Sequence, residues 1–239
     1  MSALNKTNGK IIVALDFDSF SDVKKLVNQL KNEALFFKVG KQLFTGFGPD
    51  VVKFLKDKGL KVFLDLKFHD IPNTVEKAVK TACKLGADII NVHTSGGFEM
   101  MKSAYKSVKE FSLTSASPPK IIGVTILTSL DNASLKEIGF KYSVKNNVKR
   151  LSLLAKEAGL DGIVASPHEI KIIRKICGKD FLIITPGIRP SSSSTNDQKR
   201  FMTPSEAIKA GADFLVIGRP ITQADNPLKA FKSIVDEIK

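Results

Sequence analysis

The sequence predicts one α/β domain, a closed (β/α)8 TIM barrel, on three observations. A short β-branched apolar run, a turn and then an amphipathic stretch with apolar residues three and four apart recur eight times. Strands that alternate with helices in this way build parallel sheets through right-handed crossovers. Eight such units in 239 residues match the size of about 250 residues at which such barrels close, and no linker divides the chain.

The strands are expected at residues 11–16, 35–39, 61–66, 88–92, 121–125, 162–165, 181–185 and 214–217. The helices that follow them are expected at residues 21–32, 49–58, 73–85, 97–111, 143–158, 167–176, 204–210 and 227–238. Ser21 or Asp22 is a candidate cap for the first helix, and Pro49 suits the opening turn of the second. A polar patch, residues 191–198, interrupts the seventh unit between strand and helix. A loop there lies on the catalytic face of a barrel, where it serves either as a flexible insertion or as a mobile lid over a phosphate.

Composition excludes several classes. Hydrophobic content of 43% and charged content of 26% are those of a chain that buries a core. Cys83 and Cys177 are far apart, without CxxC spacing, and read as buried thiols in a reducing cytosol. The polar N-terminus and the short apolar runs give no leader and no membrane span. The net charge of +13 comes from 37 Lys+Arg, of which only five are Arg, spread without a tight basic cluster. Nucleic-acid sites favour the bidentate fork of Arg, so this charge reads as a solvated surface and a field that steers an anionic metabolite.

Functional residues of a barrel stand at the C-terminal ends of its strands. Here those ends carry Asp16 after the first strand, Lys38 on the second, and Asp65 and Lys67 on the third, with Asp70 just beyond. Alternation along a strand sets Asp65 and Lys67 on one face, the inner face if Phe63 points inward. Buried ions cost several kcal/mol each, on the order of the penalties known for such pairs, unless they compensate one another. A charged cluster of this kind therefore marks a reactive site or a structural ion-pair network. A second group reads as a phosphate site: Pro186, Gly187 and Arg189 after strand seven, and Gly218 and Arg219 after strand eight. Glycine lets backbone N–H groups approach an anion, and Arg supplies a planar fork. His69, His93 and His168 lack metal-ligand spacing and are expected to have structural or positioning roles.

The run DLKFHDIPNTV, residues 65–75, resembles the signature of the orotidine 5′-phosphate decarboxylase family. VALDF around Asp16, FFKVG around Lys38, NVHTSGG after strand four, VTILTS around Thr128, TPGIRP around Arg189 and IGRPIT around Arg219 are similar to the family's other motifs, in order along the chain. The resemblance is to the short, single-function bacterial form. One departure is Ile126, where many relatives carry a polar residue.

The resemblance implies conversion of orotidine 5′-monophosphate to uridine 5′-monophosphate and carbon dioxide, the last step of de novo UMP synthesis. It also implies no cofactor and no metal, and a homodimer with shared active sites. Lys67 would be the proton donor, Asp65 would lie beside the substrate carboxylate, and Asp16 and Lys38 would contact the ribose. Asp70, Ile71 and Thr74 would reach the partner's site, and Thr128 would sit near the pyrimidine. Arg189, Gln198, Gly218 and Arg219 would hold the phosphate. Leu66, Phe68, His69, Pro72, Asn73 and Pro186 complete the expected substrate-contacting set. Two other readings stay open: a metal-dependent sugar-phosphate decarboxylase or epimerase on the same barrel, and a basic barrel without activity that binds nucleic acid.

Overall fold

The structure, a computed structural model, describes residues 7–190 and 202–239. The expected loop at residues 191–198 and Gln198 lie outside the described residues. Eight parallel strands close in sequence order: β1 (Ile11–Ala14), β2 (Phe36–Gly40), β3 (Lys61–Phe68), β4 (Ile89–His93), β5 (Lys120–Val124), β6 (Gly162–Val164), β7 (Leu182–Thr185) and β8 (Phe214–Ile217). The predicted fold class therefore holds.

Two apolar sets follow from the two-residue period. Ile12, Ala14, Phe36, Phe63, Ile89, Ile122, Ile184 and Val216 fill the barrel interior. The alternate residues, such as Ile11, Val13, Phe37, Val62, Ile90 and Leu215, face outward and pack beneath the helices. This double burial explains why the strands read as continuous apolar runs.

Helix ends follow local chemistry. The helix Phe20–Leu30 is capped by Ser19, whose side chain accepts the Asp22 N–H, rather than by Ser21 or Asp22 as expected. The helix Pro204–Ala210 opens with a reciprocal box in which Thr203 and Glu206 each serve the other's backbone N–H. Pro72 and Pro227 each lie in the first turn of a helix, where no N–H is needed. Three short helices escaped the periodic reading: Lys41–Phe47, Asn132–Glu137 and Arg219–Thr222. With four to seven residues each, they are too short to show a repeating apolar face.

The strand β3 is the longest, with eight residues. Its pairing with β4 runs in step at Phe63↔Ile89 and Leu64↔Ile90 and then jumps to Phe68↔Val92. β3 thus spends four residues where β4 spends two. The extra residues form a bulge at Asp65, Leu66 and Lys67, on the C-terminal rim where barrels carry their chemistry. Among the described residues no helix is long and apolar enough to cross a membrane.

Candidate active site

The bulge delivers the most charged part of the interior. Along β1 to β3 the pairing sets Ala14 against Lys38 and Gly40 against Asp65, so Lys38 starts one inward step below Asp65. Its long side chain rises past Gly40. A Cβ at Gly40 would stand 2.9 Å from Lys38 Nζ and 3.5 Å from Asp16 Oδ1, so a side chain there would displace the ammonium. In that space Lys38 Nζ donates to Asp16 Oδ1 at 3.0 Å and lies 3.6 Å from Asp65 Oδ2. Lys67 Nζ donates to Asp65 Oδ1 at 2.6 Å.

The result is a chain of alternating charge, Asp16–Lys38–Asp65–Lys67, that sums to zero. The side chains of Lys38 and Asp65 are about nine-tenths buried, whereas Asp16 is largely open to solvent. Mutual compensation is what makes ions at this depth tolerable.

Lys67 is the one residue other than glycine with positive φ, 52°, among the described residues. That left-handed backbone costs an L-residue roughly 1–2 kcal/mol. Strain of this kind persists where surrounding contacts hold it, and it gathers at functional sites. The contact here is Asn91, which is fully buried. Asn91 Oδ1 accepts the Lys67 N–H at 2.8 Å, and Asn91 Nδ2 donates to Asp65 Oδ1 at 2.7 Å. Sequence reasoning passed over Asn91. The available signal was an amide two residues after Ile89, on the inner face of an otherwise apolar strand.

These groups open into a cavity of about 210 Å³ lined by Lys38, Asp65, Lys67, Ile126, Thr128 and Pro186 among others. Polar groups occupy one wall, and Val124, Leu127, Val164 and Val216 contribute apolar surface. Ile126 forms part of that wall, so its departure from the motif alters the lining. A larger cleft of about 510 Å³ lies at the opposite end, near Lys120 and Phe181 at the strands' N-terminal ends. Barrel chemistry sits at the C-terminal face, so the smaller cavity, with the charged cluster in its lining, is the candidate site.

The other predicted residues fall in separate places. Leu66 and Phe68 pack outward against the helix-side core. Alternation that turns Asp65 and Lys67 inward turns these two side chains toward the helices. His69, Asp70, Ile71, Pro72, Asn73 and Thr74 are exposed on this chain, and Ile71 is 65% accessible. Asp70 does not approach Lys67 here; its carboxylate accepts the Ile71 N–H at 2.6 Å. On the same C-terminal rim, after β7 and β8, Arg189 is buried and Arg219 exposed. Gly187 has φ 77°, and a Cβ at Gly218 would lie 3.7 Å from Asp16 Oδ2. The loops after β7 and β8 therefore border the charged cluster. Cys83 and Cys177 are buried and free, and burial pushes the Cys83 thiol up to about 11. They take no part in the site.

His93 closes β4 with its ring 5.4 Å from that of His69. Burial, then the charges of His69, Lys41 and Lys67, against the opposing pull of Asp65, lower its pKa to about 4. The folded protein thus refuses a proton that the unfolded chain accepts below about 6.5. Stability should fall as pH drops from 6.5 towards 4, with His93 contributing on the order of 1–2 kcal/mol after allowance for its partial exposure. Melting curves of His93→Asn should lose that part of the acid slope; an unchanged slope would assign it elsewhere.

Fold and cluster together define a barrel of the enzyme class, with fixed side-chain charges beside a small half-apolar cavity. Residues 9–234 match the orotidine 5′-phosphate decarboxylase / HUMPS family, and the chain belongs to it. It is 54% identical over 230 residues to an orotidine 5′-phosphate decarboxylase of Syntrophotalea carbinolica, covering 96% of this chain and 94% of that protein. It is 52% identical over 235 residues to that of Trichlorobacter lovleyi, covering 98% and 97%. The crystal structure of orotidine 5′-phosphate decarboxylase from Lactobacillus acidophilus superposes with a TM-score of 0.86 at 39% identity, covering 97% of this chain and 99% of that one.

Proposed function

We propose that this protein decarboxylates orotidine 5′-monophosphate to uridine 5′-monophosphate and carbon dioxide, the closing step of UMP synthesis, without cofactor or metal. The observation that carries the reading is the Lys67 ammonium, held 2.6 Å from Asp65 on a strained backbone at the wall of the cavity. In this reaction the bond from ring carbon 6 to the carboxylate breaks and its electron pair stays on carbon 6. That pair lies outside the π system, so the ring cannot delocalise it. A fixed ammonium beside carbon 6 stabilises the developing charge and then gives it a proton. Lys67 is left as the neutral amine and is recharged from solvent.

The remaining residues take roles by position. Asp65 stands next to the substrate carboxylate and keeps Lys67 aimed. Asp16 and Lys38 bind the ribose hydroxyls. Thr128 and Ile126 line the base. The cavity is smaller than the roughly 300–1,000 Å³ that encloses a whole drug-sized ligand, so the phosphate lies at the rim, where Arg189, Gly218 and Arg219 receive it. Phosphate contacts far from the reacting carbon supply binding energy that the transition state uses. The exposure of Asp70, Ile71, Pro72, Asn73 and Thr74 supports the reading that they reach a second copy of the chain in a homodimer. Two buried free thiols suit a reducing cytosol.

The metal-dependent sugar-phosphate reading meets an obstacle in Lys38. An ammonium between Asp16 and Asp65 already compensates both carboxylates, repels a divalent cation and cannot ligate one. The decisive experiment is a continuous ultraviolet assay of the purified protein with orotidine 5′-monophosphate and a chelator. Loss of the orotate absorbance is expected. A folded protein that turns over only sugar phosphates with magnesium would overturn the reading. Arg219→Ala should lower kcat/KM about 10–100-fold, the scale of a charge-assisted phosphate contact, with most of the change in KM. An unchanged KM would remove Arg219 from the phosphate site.

A further inference from the structure

We infer that Asn91 is a positioning residue of the reaction: it holds the proton-donating Lys67 and its carboxylate partner Asp65 in register through one buried carboxamide. The inference rests on the decarboxylase reading for the roles of Lys67 and Asp65. The geometry of Asn91 itself is independent of that reading.

The bulge creates two problems that one side chain solves. Where β3 breaks step with β4, the Lys67 N–H points at Asn91 and takes Oδ1 as its acceptor at 2.8 Å. A buried N–H without an acceptor would penalise the bulge itself. The second problem is Asp65, which must accept from Lys67 Nζ and yet stay in one orientation. Asn91 Nδ2 donates to the same oxygen, Asp65 Oδ1, at 2.7 Å, while Lys67 Nζ approaches it at 2.6 Å. The pattern fixes the amide's orientation, since the oxygen faces a donor and the nitrogen faces a carboxylate. Asn91 is fully buried and is absent from the cavity wall. It therefore acts through its two neighbours.

Asn91→Ala and Asn91→Asp test this. In Asn91→Ala, kcat should fall about 100-fold, the scale of a misplaced reacting group, while the affinity for uridine 5′-monophosphate stays within a few-fold of the parent, because the phosphate and ribose contacts are untouched. Asn91→Asp keeps the size and the acceptor for the Lys67 N–H but sets a carboxylate against Asp65. When protonated, it donates to Asp65 as the amide does. Its activity relative to the parent protein should therefore rise as pH falls from 8 to 5.5. Asp16, Lys38, Asp65, Lys67, His69 and His93 surround the site in both proteins, and their common contribution divides out of the ratio. A flat ratio, a full kcat in Asn91→Ala, or affinity lost in proportion to kcat would each overturn the proposal.

A measurement on the unaltered protein covers the case in which the variants do not fold. The Lys67 amide should exchange its hydrogen slowly although it stands beside an open cavity, and fast exchange would overturn the proposal. Absence of turnover in the parent protein would count against the decarboxylase reading and leave the exchange result to judge Asn91.

Discussion

Lys67→Ala is expected to leave a folded barrel that has lost at least about 1,000-fold of its kcat with orotidine 5′-monophosphate, or about 4 kcal/mol of transition-state stabilisation. The size follows from the two roles proposed for Lys67: its charge would stabilise the carbanion, and its proton would quench it. Removing a single fixed donor from an anion-stabilising site costs about 100- to 1,000-fold, and loss of the proton source adds to that. Stability should change little. Asp65 keeps Lys38 within 3.6 Å and the Asn91 amide at 2.7 Å, so no buried charge is stranded. Affinity for uridine 5′-monophosphate should persist, because the phosphate and ribose contacts proposed above do not include Lys67. A variant with ordinary turnover would remove Lys67 from the chemistry.

Asp65→Ala is expected to damage both activity and stability. Asp65 is the central link of the charge chain and the common partner of Lys38, Lys67 and Asn91. Without it the Lys67 ammonium loses its 2.6 Å acceptor, and Lys38 keeps only the solvent-facing Asp16. Breaking one member out of a buried ion cluster costs about 3 kcal/mol or more, since uncompensated charge stays behind. For a domain of this size that is a fall of roughly 6–12 °C in melting temperature. Turnover should drop at least as far as in Lys67→Ala, because Lys67, the proposed proton donor, is left without its orientation. A double-mutant cycle with Lys67→Ala would then give far less than additive losses. Additive losses would mean that the two residues act separately.

The contrast between Lys67 and its neighbours shows where sequence reading ends. Alternation sets Asp65 and Lys67 on one face, the inner face with Phe63, because side-chain direction along a strand is a local property of the pleat. It misses the bulge, which appears only when β3 is set against β4 and the two strands fall out of step. With the bulge it misses the positive φ of Lys67 and the service that Asn91 performs. An asparagine in NVH looks like any polar interruption of a strand until its amide is found between the Lys67 N–H and Asp65. Gly40 is the same kind of case. In the sequence it is a glycine at a strand end, and in the barrel it is the gap through which Lys38 reaches both carboxylates.

What the sequence determined by itself were properties carried by short stretches of chain. These are eight alternations of strand and helix, hence a parallel closed barrel, and the identity of the charged residues at the strand ends. Proline and cap positions belong to the same class, with errors of a residue or two where a cap such as Ser19 lies just outside the periodic segment. The tertiary structure alone decided which charges touch. The distances of 3.0 and 3.6 Å that join Lys38 to Asp16 and Asp65 link residues from three successive βα units. They depend on the closure and stagger of the whole sheet, which no local stretch of chain encodes.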